Sequence, residues 1–284
     1  VVKLIEQGLL CLDDPVIDYV PEFAQCGKET VTVRHLLTHT SGLPDMVPEN
    51  HAYRAAHRPL ADFVARICEL ELLFAPGTRI SYQSAGIAML GEVVERLVGR
   101  SLPEVLREVF FDPLQLADTA LGRCEDRRAR EAEIRLPEKS DSGGPGSDWH
   151  WNSEYWRNFA APWGGLLTTA GELTALCQVF LQHGELNGVR VLSKASVAAM
   201  TRDQTALMAT LPRAEKERQR WGLGWVFQDG DLTSRQAFGH GGATGTGAWI
   251  DPETQVTCVL LTNDPVGVGS LRPRIANAVA AAVL

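Results

Sequence analysis

Hydrophobic residues recur at helical spacing through the first three quarters of the chain. Leu60, Phe63, Val64 and Ile67 share one face of a helix predicted over residues 59–73. Similar spacing predicts helices over 1–7, 33–39, 85–98, from 102 onwards, 170–183 and 193–200. The predicted N-caps are Thr32, Ser101 and Thr169, the last two in capping boxes with Glu104 and Glu172, and the glycines that end helices are Gly8, Gly99 and Gly184.

The hydrophobic period changes from about 3.6 to about 2 after Arg220. Strands are therefore predicted over 222–228, 237–241, 246–250 and 255–262, with turns at 229–230 and 251–252. A last helix is predicted over 271–284. Helices followed by antiparallel strands and a closing helix indicate an α+β fold. We expect one domain over 1–284, mostly helical over 1–220, with the sheet and the last helix over 221–284.

The first predicted helix has no N-cap, because no Ser, Thr, Asp or Asn precedes its apolar residues. A helix this short is marginal by itself, since nucleation costs more than a few hydrogen bonds return. We therefore expect the chain to begin within a helix, with further sequence upstream.

The composition and charge of the chain exclude several classes of binding partner. The 284 residues are 45% hydrophobic and carry a net charge of −8, with no long run of Lys or Arg. Binding to nucleic acid or to an anionic membrane is not expected, because both need a clustered basic face. No apolar run is long enough to span a bilayer, so no membrane span is expected. The six cysteines are scattered without a Cys-x-x-Cys pair, which favours small buried hydrophobes over disulfides or a zinc site.

Two sequence patterns resemble cofactor-binding motifs, but each lacks a feature that the motif requires. His35 and His39 are four residues apart and share a helix face that a metal can use, but no Glu beside them is placed as a base. Packed or hydrogen-bonded histidines are the favoured interpretation. The glycine-rich run 241–247 lies between predicted strands, whereas a dinucleotide-binding loop must open a helix. No metal and no organic cofactor is therefore expected.

Tyr82 and His240 are the candidates for chemistry. Tyr82 stands at a helix start after a Pro-Gly turn, and a phenol acts as a general base only where cations lower its pKa. Its spacing alone favours an aromatic ring resting on the core. His240 precedes Gly241 and Gly242 on a strand, where glycines let a ligand approach backbone N–H groups. A glycine-rich bend with an incidental histidine fits that pattern equally well.

A tryptophan-rich stretch over 149–163 follows a Ser/Gly-rich loop at 140–147. The loop is flexible by composition. The aromatic side chains are suited either to walling an apolar cleft or to packing over the helical part. The pattern leaves both interpretations open.

Six segments together resemble the serine β-lactamase-related family, which includes class C β-lactamases, D-alanyl-D-alanine carboxypeptidases, D-aminopeptidases and family VIII esterases. Their order and spacing fit along almost the whole chain, although each is weak alone. The segments are 9–16 (LLCLDDPV), 31–44 (VTVRHLLTHTSGLP), 76–78 (PGT), 82–84 (YQS), 163–169 (WGGLLTT) and 238–242 (FGHGG).

This resemblance implies a penicillin-binding-protein-like fold, with an antiparallel sheet flanked by helices and a helical subdomain. It also implies a serine hydrolase that acts on a small ester or amide through an acyl-enzyme. Tyr82 corresponds to the proton-transfer residue of the family's Tyr-x-Asn element. His240 corresponds to the first residue of its Lys/His-x-Gly element, with Gly241 and Gly242 behind it, and the backbone N–H of Ala243 would bind the oxyanion.

The chain departs from the family twice. No lysine has a serine three positions before it, so the Ser-x-x-Lys element is not in these residues. We therefore expect the nucleophile and its lysine upstream, along with strands that normally join the sheet. The chain as given should be inactive by the family mechanism.

The second departure is Ser84, which stands where Asn is usual. One hydroxyl cannot replace both the donor and the acceptor of an amide, which favours ester substrates. Two alternatives remain: a non-catalytic relative that binds a ligand or partner in the same cleft, and an in-chain nucleophile, Ser84 or Ser41, beside His240.

Overall fold

Helices are the main regular secondary structure before residue 219 in a computed structural model that describes residues 1–138, 143–227 and 230–283. The α-helices are α1 (Val2–Glu6), α2 (Val33–Leu37), α3 (Asn50–Ala55), α4 (Leu60–Glu69), α5 (Ser84–Val98), α6 (Leu102–Leu106), α7 (Glu154–Phe159), α8 (Ala170–Leu181), α9 (Lys194–Met200), α10 (Arg213–Arg218) and α11 (Val268–Ala281). A π-helical turn (Arg107–Phe111) extends α6. Short 3₁₀ segments cover Val16–Asp18, Pro21–Phe23, Glu125–Arg130 and Thr205–Leu207.

The strands are β1 (Ala120–Leu121), β2 (Leu166–Leu167), β3 (Glu185–Leu186), β4 (Val189–Arg190), β5 (Val226–Phe227), β6 (Phe238–Gly242), β7 (Thr246–Asp251) and β8 (Val256–Leu261). The main sheet is antiparallel and has the order β5-β6-β7-β8. Its central pair sets Gly241 opposite Gly247 and His240 opposite Ala248. Strands β1 and β2 form a separate pair, and so do β3 and β4.

The predicted helices are confirmed in place, and two end early for local reasons. The helix capped by Thr32 stops at Leu37, because His39 adopts a left-handed φ of 56°. The helix over 59–73 ends at Glu69, where Leu70 turns to an extended conformation with ψ 147°. Gly8 and Gly99 lie in left-handed conformations just past their helices, as predicted.

One predicted strand is largely wrong. Strand β5 is only Val226–Phe227, because Gly222 instead donates its N–H to the carbonyl of Trp225 in a tight turn. Alternating hydrophobicity over 222–228 therefore reflects burial of a turn rather than an extended strand. Residues 228 and 229, where that strand and a turn were predicted to meet, lie outside the described residues, as do 140–142 of the predicted flexible loop.

The predicted capping box at Thr169 forms only in part. Thr169 Oγ1 accepts the N–H of Glu172 at 3.3 Å. The Glu172 carboxylate does not return to the cap but accepts the N–H of Asp118 and the hydroxyl of Thr119. Tertiary contacts therefore take the side chain that the local motif requires. Helix α8 ends at Leu181 rather than near 183, and the last helix covers Val268–Ala281 rather than starting at 271.

Two packed regions hold these elements together. Helices α2, α4 and α5 bury their apolar faces in a large helical core, where Leu36, Phe63 and Met89 are fully enclosed. A smaller core lies between α8 and the sheet, formed by Cys177, Phe238 and Ile250. Helix α11 packs against β8. Among the described residues, no helix is both long and apolar enough to cross a bilayer.

The aromatic stretch packs mainly on the helical core. Trp156 is buried in that core, and Trp151, Tyr155 and Trp163 lie against it. The guanidinium of Arg54 lies 4.4 Å from the Trp156 ring centre in a buried cation–π contact. The structure thus supports the packing interpretation of residues 149–163.

The cysteines are all free thiols. Cys68 and Cys177 are buried as small hydrophobes, as expected, whereas Cys11 and Cys26 are exposed and differ from that expectation. Desolvation by burial raises the pKa of Cys68 to about 11 and that of Cys177 to about 12. Neither buried thiol is therefore a thiolate at neutral pH.

The surroundings of Gly42 explain why segment 31–44 has a glycine at this position. Its φ is +88°, and a Cβ built there would lie 2.1 Å from the carbonyl oxygen of Phe74. The Gly42 carbonyl in turn accepts the N–H of Leu73 at 2.7 Å. No larger residue fits between the segment at Gly42 and the segment at residues 73–74 unless one of them moves.

We predict that Gly42→Ala lowers the free energy of unfolding by about 2 kcal/mol or more, from left-handed strain and the backbone clash. Gly171→Ala is the matched control, because Gly171 lies in α8 with open space around it and no positive φ. That change should stabilise the protein by up to about 1 kcal/mol. Urea unfolding of both variants measures the difference, and equal stabilities would refute the close approach at Gly42.

Candidate functional site

Four rings bring the two predicted site residues together. The ring centre of Tyr82 lies 5.8 Å from that of His240, and Trp221 lies 5.9 Å from His240. His39 lies beneath them, 4.7 Å from Tyr82 and 4.3 Å from Trp221. Tyr82 comes from the segment before α5 and His240 from β6, so the cluster joins the helical part to the sheet.

The segment that carries Tyr82 is fixed by hydrogen bonds on both sides. The carbonyl of His39 accepts the N–H of Ser81 at 2.9 Å, and Nδ1 of His39 accepts the N–H of Gln83 at 3.2 Å. The N–H of Ser84 donates to Oδ1 of Asp45 at 2.7 Å, which caps α5 with a carboxylate. Tyr82 therefore projects from a backbone that is held at residues 81, 83 and 84.

The phenol of Tyr82 is protonated at neutral pH. Burial raises its pKa, the hydrogen bond with Ser84 lowers it in part, and the charge of Asp45 raises it again, although the residue keeps 40% of its surface exposed. Among the described residues, no cation lowers this pKa. A phenol acts as a base only where a nearby cation lowers its pKa, so that cation has to come from a group outside the described residues.

His240 is uncharged at neutral pH. Burial lowers its pKa, and repulsion from the Arg272 guanidinium lowers it further, against a raising effect of its contact with Gly241. Its Nδ1 lies 2.7 Å from the carbonyl oxygen of Gly241, so we assign the proton to Nδ1. Its Nε2 is left with a free lone pair, and the imidazole supplies no positive charge to the site.

The end of β6 presents backbone groups beside His240. Strand β5 pairs only with Phe238 and Gly239, so within the described part of the chain the outer edge of residues 240–242 has no strand partner. The carbonyl of Gly242 accepts from Gly245 at 3.3 Å and from the Arg272 guanidinium. In a trans peptide the next N–H points the opposite way. No hydrogen-bond acceptor for the N–H of Ala243 is found among the described residues.

Arg272 also explains why Gly241 has no side chain. A Cβ at Gly241 would lie 2.4 Å from Nη1 of Arg272, and one at Gly247 would lie 3.3 Å from its Nε. The guanidinium thus lies flat against this cross-strand glycine pair. Burial lowers the pKa of Arg272.

A cleft of about 330 Å³ opens beside His240, between α8 and strands β6 and β7. Its walls are mostly apolar, so it would exclude water from an uncharged group held there. The side chains that line it are Leu173, Leu176, Cys177, Phe180 and Trp225.

The alternative candidates do not have catalytic surroundings. Ser41 is fully buried, and its hydroxyl donates to Gln83 and accepts the N–H of Leu43. Ser84 is 6% exposed and contacts the Tyr82 phenol rather than an imidazole. The Nδ1 atoms of His35 and His39 accept backbone N–H groups of Thr32 and Gln83. Within 1–138, 143–227 and 230–283, no group of three or more metal-ligating side chains is found.

Sequence reasoning missed three residues of this cluster. His39 was considered as a metal ligand or, in the favoured interpretation, as a packed or hydrogen-bonded histidine, but not as a neighbour of Tyr82; Trp221 and Asp45 were not considered. His39 lies in the segment 31–44 that carries the resemblance, so its motif was a usable signal. Trp221 and Asp45 enter only through tertiary packing, which spacing along the chain does not reveal.

Known proteins resemble this chain over nearly its full length. A family model described as Beta-lactamase matches residues 1–282. Penicillin-binding protein 4 of Amycolatopsis lactamdurans is 34% identical over 280 residues, which cover 94% of this chain and 69% of that protein. The chain spans about two thirds of the length of the curated relatives it matches, 69% of one and 65% of another.

Solved structures give the same result. A penicillin-binding protein homologue from Caulobacter crescentus has a TM-score of 0.80 at 27% identity, covering 100% of this chain and 79% of that chain. A family VIII carboxylesterase has a TM-score of 0.77 at 24% identity, covering 98% and 79%, and shows likeness of fold alone. The family resemblance that rests on the motifs is confirmed, and so is the α+β fold predicted from the hydrophobic pattern.

We predict that stability falls as the pH drops from about 6.5 towards 3. Burial lowers the pKa of His35 and of His240, and burial with repulsion from His240 lowers that of His39 to about 3. The unfolded chain therefore binds protons that the folded chain does not. By this linkage His39 alone accounts for a loss of about 2 kcal/mol between pH 7 and pH 5.

Urea unfolding at pH 7, 6 and 5 tests this, because few carboxylates titrate in that range. His39→Asn should flatten the pH dependence by the same amount, whatever its effect on stability at pH 7. His183→Asn is the control for loss of a histidine as such, since His183 is exposed and has a left-handed φ of 53° that Asn tolerates. Parallel slopes for wild type and His39→Asn would show that His39 is not buried in its neutral form.

Proposed function

Because this chain belongs to the beta-lactamase family of serine hydrolases, we propose that it supplies Tyr82 and His240 to a site that hydrolyses small esters through an acyl-enzyme. The observation that carries the proposal is the approach of the two rings to 5.8 Å across the junction of the helical part and the sheet. His240 uses Nδ1 to contact the Gly241 carbonyl, which leaves its Nε2 available, and Tyr82 keeps 40% of its surface exposed beside it.

The reaction needs a nucleophile that these 284 residues do not provide. We propose that a serine and a lysine lie upstream of Val1, as the family's Ser-x-x-Lys element. The serine oxygen attacks the carbonyl carbon, and its proton passes to the pair formed by that lysine and Tyr82. A lysine ammonium near the phenol would also supply the cation that lowers the Tyr82 pKa. These residues alone would then be inactive.

The sheet provides for the negative charge that develops on the substrate. The N–H of Ala243 has no acceptor among the described residues and follows the Gly241-Gly242 pair, so it is available to the oxyanion. Collapse of the tetrahedral intermediate breaks the bond to the leaving group, which takes a proton as an alcohol. Water then attacks the acyl-serine and releases the acid. Neither step calls for a metal.

An ester is preferred over a substrate with a free carboxylate because a neutral imidazole stands at position 240, where the family often has a lysine ammonium. His240 is neutral, since burial lowers its pKa. Ser84 offers one hydroxyl, already bonded to Tyr82, where an amide side chain would hold an amide substrate on both sides. The apolar cleft beside His240 also favours an uncharged substrate.

The second candidate is a non-catalytic binding module. It is favoured by one observation: the pKa of Tyr82 is raised, not lowered, in the residues described. A protonated phenol suits a hydrogen-bond donor to a bound ligand as well as it suits catalysis. The sequence encoded directly upstream separates the two, because an in-frame Ser-x-x-Lys supports the enzyme and its absence supports the module.

We predict that the chain extended by its own upstream sequence hydrolyses p-nitrophenyl butyrate, and that Tyr82→Phe lowers kcat by about 10²- to 10⁴-fold, the range of proton-transfer catalysis. Tyr53→Phe is the control, because Tyr53 packs against Phe63 in the helical core. Steady-state kinetics of the three proteins measures the effect. Full activity in Tyr82→Phe, or an inactive extended wild type, would refute the proposed function.

We also predict a shift in specificity for His240→Lys. A lysine ammonium would add the charge that the neutral imidazole lacks, so kcat/KM for an acyl-D-alanyl-D-alanine peptide should rise relative to the ester by about tenfold or more. The control is His240→Gln, which adds no charge. An equal ratio in both variants would show that charge at position 240 does not set the preference.

A further inference from the structure

His39 bonds to the residues on both sides of Tyr82. Its carbonyl holds Ser81, and its Nδ1 holds Gln83, so one residue fixes the backbone immediately before and after the phenol. Its imidazole is 2% exposed. No other residue among those described makes hydrogen bonds to both neighbours of Tyr82.

The imidazole can accept the Gln83 N–H only while it is neutral. An acceptor at Nδ1 places the ring proton on Nε2. Burial and the nearby His240 keep the pKa of His39 at about 3, so the bond is present throughout the neutral range. A protonated ring would lose the acceptor and face a donor instead.

The imidazole ring of His39 also packs against the phenol ring of Tyr82. It lies 4.7 Å from Tyr82 with the two planes tilted by 36°, and Trp221 packs edge-on against it at 4.3 Å. His39 itself adopts a left-handed φ of 56°. Asn and Gly tolerate that conformation, whereas an aromatic residue adopts it at a cost.

We propose that His39 is a positioning residue for Tyr82, which it holds in place through the acceptor at Nδ1 and not through its ring alone. The proposal rests on the function proposed above, because a fixed phenol matters where it transfers a proton. Misplacing a catalytic group by about 1 Å lowers the rate of the chemical step more than it weakens substrate binding.

Three substitutions separate the acceptor from the ring. His39→Asn keeps an acceptor oxygen and suits the left-handed backbone but removes the ring. His39→Phe keeps a ring without an acceptor. His39→Gly removes both while keeping the backbone conformation, and it replaces the Phe variant if that protein does not fold.

Hydrogen exchange of the Gln83 amide, followed by NMR on the present chain, tests the contact without any activity. We expect slow exchange in the wild type and in His39→Asn, and exchange at least about tenfold faster in His39→Phe or His39→Gly. The amide of Met89 in α5 is the internal reference for global opening, since it lies in the fully enclosed helical core. Unchanged protection of Gln83 in the variants without an acceptor would overturn the proposal.

Kinetics on the upstream-extended chain tests the consequence. We expect kcat for the ester to fall about 10- to 100-fold in His39→Phe with KM within about threefold, and to be largely restored in His39→Asn. The reverse order would mean that the ring, not the acceptor, positions Tyr82, and would refute the proposal. Faster Gln83 exchange with unchanged kcat would refute it too. An inactive extended wild type would instead refute the proposed function, while the exchange experiment still decides the contact.

Discussion

A histidine that stays neutral inside the protein links the segments that carry the candidate site. The backbone of His39 ends α2 early by taking a left-handed conformation, and its imidazole then turns beneath residues 81–83. This geometry requires burial, because only a desolvated imidazole keeps a lone pair on Nδ1 well below neutral pH. The placement of Tyr82 and the packing of Trp221 both depend on that one buried ring.

The sheet side of the site depends on a different constraint, the absence of side chains. Gly241 and Gly247 face each other across β6 and β7, and the Arg272 guanidinium takes the space of a Cβ at Gly241 and would contact one at Gly247 tightly. Because Arg272 also donates to the carbonyl of Gly242, the peptide that follows is held with its N–H directed away from the guanidinium. The glycines of segment 238–242 thus leave room for Arg272 to pack on one side of the strand, as well as for a ligand to approach it on the other.

Sequence patterns predicted the elements well where local signals and packing agree, as in α5, which begins at Ser84 and ends before left-handed Gly99. They failed where tertiary contacts override local chemistry. The carboxylate of Glu172 bonds to Asp118 rather than completing a capping box, and residues 222–225 fold into a turn despite their alternating pattern. For the site, motifs located Tyr82 and His240, but their protonation states follow from burial, which no spacing along the chain records. The catalytic roles of Tyr82 and His240 remain predictions from the family resemblance. So do the binding roles of the other site residues, Ser84, Gly241, Gly242 and Ala243.

We propose that the nucleophile lies outside these 284 residues, while Tyr82, His240 and the backbone N–H of Ala243 contribute to the site from within them. Intact-mass spectrometry after exposure to a fluorophosphonate serine probe tests it directly, on the present chain and on the chain extended by its own upstream sequence. We predict no adduct on the folded present chain and one stoichiometric adduct on the extended chain, mapped to an upstream serine. One adduct on the present chain at Ser84 or Ser41 would contradict the claim, and no adduct on either protein would favour the binding module.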